Sequence, residues 1–174
     1  MSLYEITPND DTVTAEVGSH VIDALGDRHP LLTVLQYRAD DPYAVTMTFI
    51  APQRPADPGV RWTMARDLLS NARTEPAGVG DIHAWPSIGA DDRPAVAFLL
   101  CSPEGEALVE LPTVAVDRFC REAFGLVPAG QESDRLDFDG FFSALLDDAA
   151  DPAAQKAHTG HPGQSGSVRR RGQQ

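Results

Sequence analysis

Residues Ala95 to Pro112 read A-V-A-F-L-L-C-S-P-E-G-E-A-L-V-E-L-P, the most apolar run of the chain and the one with the clearest turn inside it. Ser102-Pro103-Glu104-Gly105 places proline where its fixed φ suits the second turn position and glycine at the fourth, the pattern of a type I reversal. Two strands must therefore leave this turn side by side. In the first, Val96, Phe98 and Leu100 alternate with Ala97, Leu99 and Cys101, so both faces are apolar and the strand belongs in the middle of a covered sheet. In the second, Ala107, Val109 and Leu111 face inward while Glu106, Leu108 and Glu110 take a partly wet face.

The chain has 174 residues, enough for one ordinary domain that needs no metal or disulfide staple. It carries 14 Lys plus Arg against 26 Asp plus Glu. Four of those bases (Lys156, Arg169, Arg170, Arg171) and only Asp151 among the acids fall after Ala150, so the first 150 residues hold a net charge of −15. Such a surface repels phosphate backbones and anionic lipid headgroups, which disfavours nucleic acid and direct membrane insertion. Cys101 in a strand and Cys120 in a helical stretch read as small buried hydrophobes of a reducing compartment, although the sequence neither requires nor forbids a bridge between them. No basic segment precedes an apolar core at the start, and no run of 18 apolar residues occurs, so the expectation is a cytoplasmic protein.

Working outward from the central hairpin, residues 1–10 read as a flexible polar leader, 11–150 as one domain and 151–174 as a disordered tail of Ala, Gly, Gln, Ser, His and Arg. Period-two alternation predicts strands from Thr12, with Gly18 expected to bend or bulge the first, then over Leu31 to Ala39 and Tyr43 to Ala51. Val60, Trp62 and Met64 begin a fourth, which runs into a short helix over Ala65 to Ala72. A further strand is expected over Val79 to Trp85, with Ile88 to Pro94 as loop. After the hairpin, Thr113 is expected to cap a helix whose Val116, Phe119, Cys120, Ala123 and Val127 share one face, with Gly125 near its end. Another helix is expected after Asp137 or Asp139. The fold class is α+β: an antiparallel sheet or barrel-like core of about seven strands with two or three helices.

Chemistry-bearing patterns are sparse. His158-x-x-His161 has metal-site spacing but lies in the tail without a third ligand, and His83 and His20 read as half-buried strand residues. No phosphate-cradling glycine loop, nucleophile elbow or H-E-x-x-H is present. Glu104, Glu106 and Glu110 converge on one hairpin and could pair as acid and base, but a solvated tip explains them better. Arg66 beside Asp67 suggests a local ion pair, and Trp62 and Trp85 read as core. Catalytic, metal and cofactor sites are accordingly expected to be none; an enzyme would need a pocket in which Glu104 or His83 is strongly perturbed.

Four ordered motifs then carry a resemblance. D-P-Y-A-V (from Asp41, Pro42, Tyr43), V-R-W-T-M-A-R-D-L-L (with Trp62, Arg66, Asp67), G-D-I-H-A-W-P (with Asp81, Trp85, Pro86) and S-P-E-G-E-A-L (Ser102, Pro103, Glu104, Gly105, Glu106) resemble the SsgA-like proteins, regulators of sporulation-linked division in actinobacteria. The resemblance, which runs from about Val13 to Ala149, implies a whirly-like fold, a homotrimer and a non-enzymatic adaptor. It implies partners among division proteins such as FtsZ and other SsgA-like proteins, with recruitment to the septum. It also implies that the motif residues serve structure or interaction. The acidic body argues against the alternative that a whirly-like groove raises, binding of single-stranded nucleic acid. Loop arginines such as Arg54, Arg73 and Arg93 are then the cations available to an acidic partner.

Overall fold

Residues 4–54, 56–89 and 92–135 are described by the computed structural model of the protein. The predicted hairpin is its middle: β8 (Pro94–Ser102) and β9 (Gly105–Pro112) pair antiparallel from Ala95 opposite Pro112 to Ser102 opposite Gly105. Pro103 and Glu104 form the two-residue tip, and Gly105 holds φ +143, a conformation open to glycine. As the doubly apolar pattern requires, β8 is covered on both faces: Val96, Phe98 and Leu100 are buried in the core, and Ala95 and Ala97 are buried on the opposite side.

Seven further strands complete one antiparallel sheet: β1 (Tyr4–Asn9), β2 (Thr12–Ile22), β3 (Arg28–Arg38), β4 (Asp41–Ile50), β5 (Val60–Ala65), β6 (Ala77–Val79) and β7 (Ile82–Ile88). Their order is β5-β4-β3-β2-β9-β8-β7-β6, with β1 also on β2. One edge of β2 is shared, because β1 pairs with Thr12–Val17 and β9 pairs with His20–Ile22. A strand that serves two neighbours along one edge joins two half-sheets, and the whole curls around a core.

Nine strands are present among the described residues where about seven were expected. The stretch read as leader contains β1: Tyr4 and Ile6 pack against the core, Glu5 and Thr7 face away, and the segment pairs with β2. β6 was missed because it is only three residues long and contains glycine; Gly80 at φ +61 then turns the chain, so β7 starts at Ile82 rather than Val79. Gly18 makes no bulge. It pairs regularly with Leu32, and the register shift falls instead between Tyr37 and Arg38.

Helix α1 (Arg66–Asn71) follows β5 directly and buries Leu68 and Leu69. Helix α2 (Thr113–Leu126) buries the predicted stripe Val116, Phe119, Cys120 and Ala123 on the inner face of the sheet. Phe119 alone, fully buried, contributes on the order of 2–3 kcal/mol. Its ends differ from expectation: Thr113 makes no side-chain cap, and Gly125 lies inside the helix, which ends when Val127 becomes extended and buries its side chain. A 3-10 turn (Glu132–Arg135) closes the described chain. The helix expected after Asp137 or Asp139, His158, His161 and the arginine run Arg169 to Arg171 lie outside the described residues.

Candidate interaction surface

Two of the sequence motifs meet at one end of the sheet. The Arg66 side chain, at the junction of β5 and α1, is buried rather than paired with its neighbour Asp67, which is exposed. Its Nη1 donates to the Tyr37 hydroxyl at 2.9 Å and to the Val127 carbonyl at 2.6 Å, and its Nη2 donates to Glu132. The guanidinium also lies over the rings of Phe124 at 4.1 Å and Tyr37 at 5.1 Å. Tyr37 passes the chain on, donating to the Pro42 carbonyl at 3.2 Å, and the Tyr43 hydroxyl meets Ser133 Oγ at 3.0 Å. Asp41, Pro42 and Tyr43 thus start β4 against the same cluster, with Pro42 buried and Asp41 and Tyr43 exposed.

The electrostatics fit a structural clasp. A buried guanidinium is tolerated only when its protons find acceptors and a compensating carboxylate. Glu132 supplies that carboxylate, and its pKa is held below the ordinary glutamate range, first by its own backbone N–H, against the opposing effect of burial, and further by the Gly130 N–H and Arg66. Burial raises the Tyr37 phenol, and the Arg66 charge opposes it. Among the buried side-chain nitrogen and oxygen atoms of the described residues, only Arg66 Nε lacks a hydrogen-bond partner. Glu132 gives no signal in the sequence, because a polar residue in a short turn 66 positions away reads as solvated.

The hairpin motif lies at the far end of β8 and β9, away from this clasp. Ser102 Oγ accepts from the Glu104 N–H at 3.3 Å and donates to the Gly105 carbonyl at 3.1 Å, which fixes the tip while Pro103, Glu104 and Glu106 stay exposed. Glu110 does not join them. It is buried on the outer face, where it accepts from Arg28 Nε and Ser87 Oγ, each at 3.1 Å. Four residues along a strand separate Glu106 from Glu110 by about 13 Å, too far to share a proton. His83 is exposed rather than half-buried, beside Gly78, and His20 is half-buried opposite Glu110. Asp81 is exposed and its carbonyl accepts from Cys101 N–H at 2.8 Å. Trp85 is half-buried on the outer face opposite Ala97, and Pro86 is exposed.

An apolar groove of about 350 Å³ opens on the inner side of the sheet, beside the terminal strand β5. Phe49, Trp62, Leu100 and Val109 are among its lining residues, Val60 stands 61 % exposed at its lip, and Arg54 and Asp57 sit at the rim. Trp62 is therefore only half-buried, although the sequence placed it in the core. The β4–β5 loop shapes this lip. Asp57 accepts from the Gly59 N–H at 3.2 Å, and Gly59 holds φ +75 where a Cβ would sit 2.4 Å from the Phe49 carbonyl oxygen. Arg73, by contrast, is not free: it donates to Asp117 at 2.8 Å and to the Ser70 carbonyl at 2.7 Å, tying α1 to α2.

Residues 31–132 match the family described as Streptomyces sporulation and cell division protein, SsgA. The chain belongs to the SsgA family. Relatives include the sporulation-specific cell division protein SsgB of Frankia casuarinae, 37 % identical over 81 % of this chain and 96 % of that protein. SsgB of Streptomyces coelicolor is 36 % identical over 78 % of this chain and 96 % of its own. A solved SsgA-like sporulation-specific cell division protein from Thermobifida fusca superposes with a TM-score of 0.68 at 33 % identity, covering 80 % of this chain and all of that one. The family match spans all four sequence motifs, from Asp41 to Leu108, and also Glu132, the partner of Arg66. In this SsgA-family chain no group of three or more His, Cys, Asp or Glu able to hold a metal occurs among the described residues. None of its described helices is long and apolar enough to cross a membrane.

Proposed function

We propose that the protein is a non-enzymatic adaptor of sporulation septation, working in the cytoplasm and recruited to the septum. There it brings or orients division proteins such as FtsZ, or other SsgA-like proteins, at the future cross-wall or guides wall remodelling. What carries the reading is the division of labour among its polar residues. Arg66, Glu132, Tyr37 and Glu110, which a catalytic site would need accessible, are spent on internal contacts. The residues left facing solvent (Asp41, Tyr43, Asp67, Asp81, Pro86, Pro103, Glu104, Glu106) are spread over loops and strand ends, as contact surfaces are. A homotrimer of such subunits would present three copies of one weak site and gain avidity without a strong single contact.

The test is retention of FtsZ and of sibling SsgA-like proteins on the immobilised protein across a salt series, with a fluorescent fusion imaged during septation in a sporulating host. Retention and septal foci are expected. Absence of both, or a salt-dependent shift of oligonucleotides in their place, overturns the reading. Light scattering that gives a monomer at micromolar concentration overturns the trimer alone.

A further inference from the structure

Beyond Val127, residues 128–135 pass the Arg66 junction and the start of β4 as a strap. Among the described residues, its backbone bonds only within itself, as from Gln131 N–H to the Pro128 carbonyl at 3.1 Å and from Asp134 N–H to the Gln131 carbonyl at 3.2 Å. Side chains alone tie it to the body: Arg66 donates to Glu132, and Tyr43 meets Ser133 at the surface. Its far end is undercut. Arg135 faces a cavity of about 360 Å³ lined also by Asp11 and Asp40, from the β1–β2 and β3–β4 turns, and Asp40 there pairs with Arg38 instead. Near its root, Gly130 holds φ +83 with nothing within 4 Å of a Cβ placed there, which makes it a pivot. A segment with so few backbone ties opens more readily than the sheet it lies against.

What the strap covers is only partly matched to it. Arg66 is 2 % exposed, yet its Nε has no partner, and Glu132 reaches the guanidinium with one oxygen, Oε1, on Nη2. A carboxylate approaching edge-on takes Nε and Nη2 together, the forked geometry a guanidinium favours. Glu132 does not, because the N–H groups of Glu132 and Gly130 share its carboxylate.

We infer that residues 128–135 are a releasable strap, and that Glu132 occupies in cis a receptor site for a partner's carboxylate, formed by Arg66 between the rings of Phe124 and Tyr37. When the strap swings out about Gly130, a carboxylate from a division partner takes Nη2 and the unpartnered Nε. One carboxylate replaces another, so the guanidinium is not left buried and bare. A single acid with apolar neighbours suits the site better than an acidic run. Asp41 and Asp67 stand exposed beside it, while the two rings flank the cation. This deepens the adaptor reading and rests on it: the closed form hides the contact, and the partner competes with Glu132 for it.

Hydrogen exchange of the full chain, read by mass spectrometry, follows strap and sheet separately. The probe is sodium propionate, one carboxylate on an apolar tail, against propionamide and sodium chloride at matched concentration. Exchange of residues 128–135 is expected to rise in proportion to propionate, doubling where its concentration equals the dissociation constant of the open form. The amides of β2 and β3 should not speed up. No acceleration by propionate overturns the proposal, as does equal acceleration by propionamide or chloride. Acceleration of β2 and β3 in step with the strap is general loosening and also overturns it. Arg66→Lys keeps the charge but lacks the fork and should lose the response; a response that persists there places propionate elsewhere and counts against the site. The parent series stands by itself if that variant does not fold. Retention of FtsZ by the parent with no propionate response sinks this site and leaves the adaptor function standing. A propionate response without retention of any division protein does the reverse.

Discussion

Replacing Tyr37 by phenylalanine removes one oxygen and nothing else from the buried Arg66 clasp. Tyr37 and Arg66 are 0 % and 2 % exposed, so water does not replace what is lost. Two hydrogen bonds disappear: one from Arg66 Nη1 at 2.9 Å, charge-assisted, and one to the Pro42 carbonyl at 3.2 Å, neutral. A hydrogen bond to a charged group contributes roughly 1.5–3 kcal/mol and a neutral one roughly 0.5–1.5 kcal/mol. Nη1 keeps the Val127 carbonyl, which moderates the first loss, while Arg66 already has an unpartnered Nε and no spare acceptor to turn to. The ring remains, so no cavity forms and the packing of guanidinium on ring at 5.1 Å survives. The expected cost is about 2–3 kcal/mol, or a fall in Tm of about 6–10 °C at a few degrees per kcal/mol for a domain of this size. Urea unfolding followed by circular dichroism should show a lower midpoint at an unchanged m-value. Tyr43→Phe is the matched control, since that hydroxyl meets Ser133 at the surface and its loss should cost under about 0.5 kcal/mol. Equal effects of the two substitutions, or a loss below about 0.5 kcal/mol for Tyr37→Phe, would refute the argument that the clasp is fully committed.

Gly59→Ala should destabilise by about 1–3 kcal/mol, measured by the same urea titration, because φ +75 and the 2.4 Å approach to Phe49 O both exclude a methyl group; Gly26→Ala, strained at φ +86 but facing open space, should cost less. Glu132 has a depressed pKa in the folded state, so its contribution is complete above the ordinary glutamate pKa and is lost as pH falls through the lower folded value. Stability measured across that acid window should therefore drop, and Glu132→Gln should flatten that part of the profile; an unchanged profile would show that the carboxylate is not engaged. The two cysteines are free. Burial pushes the Cys120 thiol up to about 11, so native protein at pH 8 should label at Cys101 at most, with Cys120 reacting only after denaturant; rapid double labelling of folded protein would contradict the packing of α2.

Alternation and helical spacing were enough to place β8, β9, the inner face of α2 and the strands leading into β5, because each of these segments is long and its burial is set by period alone. The four motifs likewise carried the family, since their order and spacing lie in the chain itself. What the sequence could not express is pairing at a distance. β1 counts as a strand only because the first half of β2 offers it an edge, and β6 only because β7 folds back on it. Arg66 looked like the partner of Asp67 because neighbours in sequence are visible and Glu132 is not. Glu110 looked solvated with the glutamates of its own hairpin until the curl of β2 brought Arg28 to it. The groove by β5 is likewise tertiary, formed where the sheet ends without a neighbour, which periodicity along one strand does not encode. Local spacing decides which face of an element is apolar, and the closure of the chain decides what meets that face.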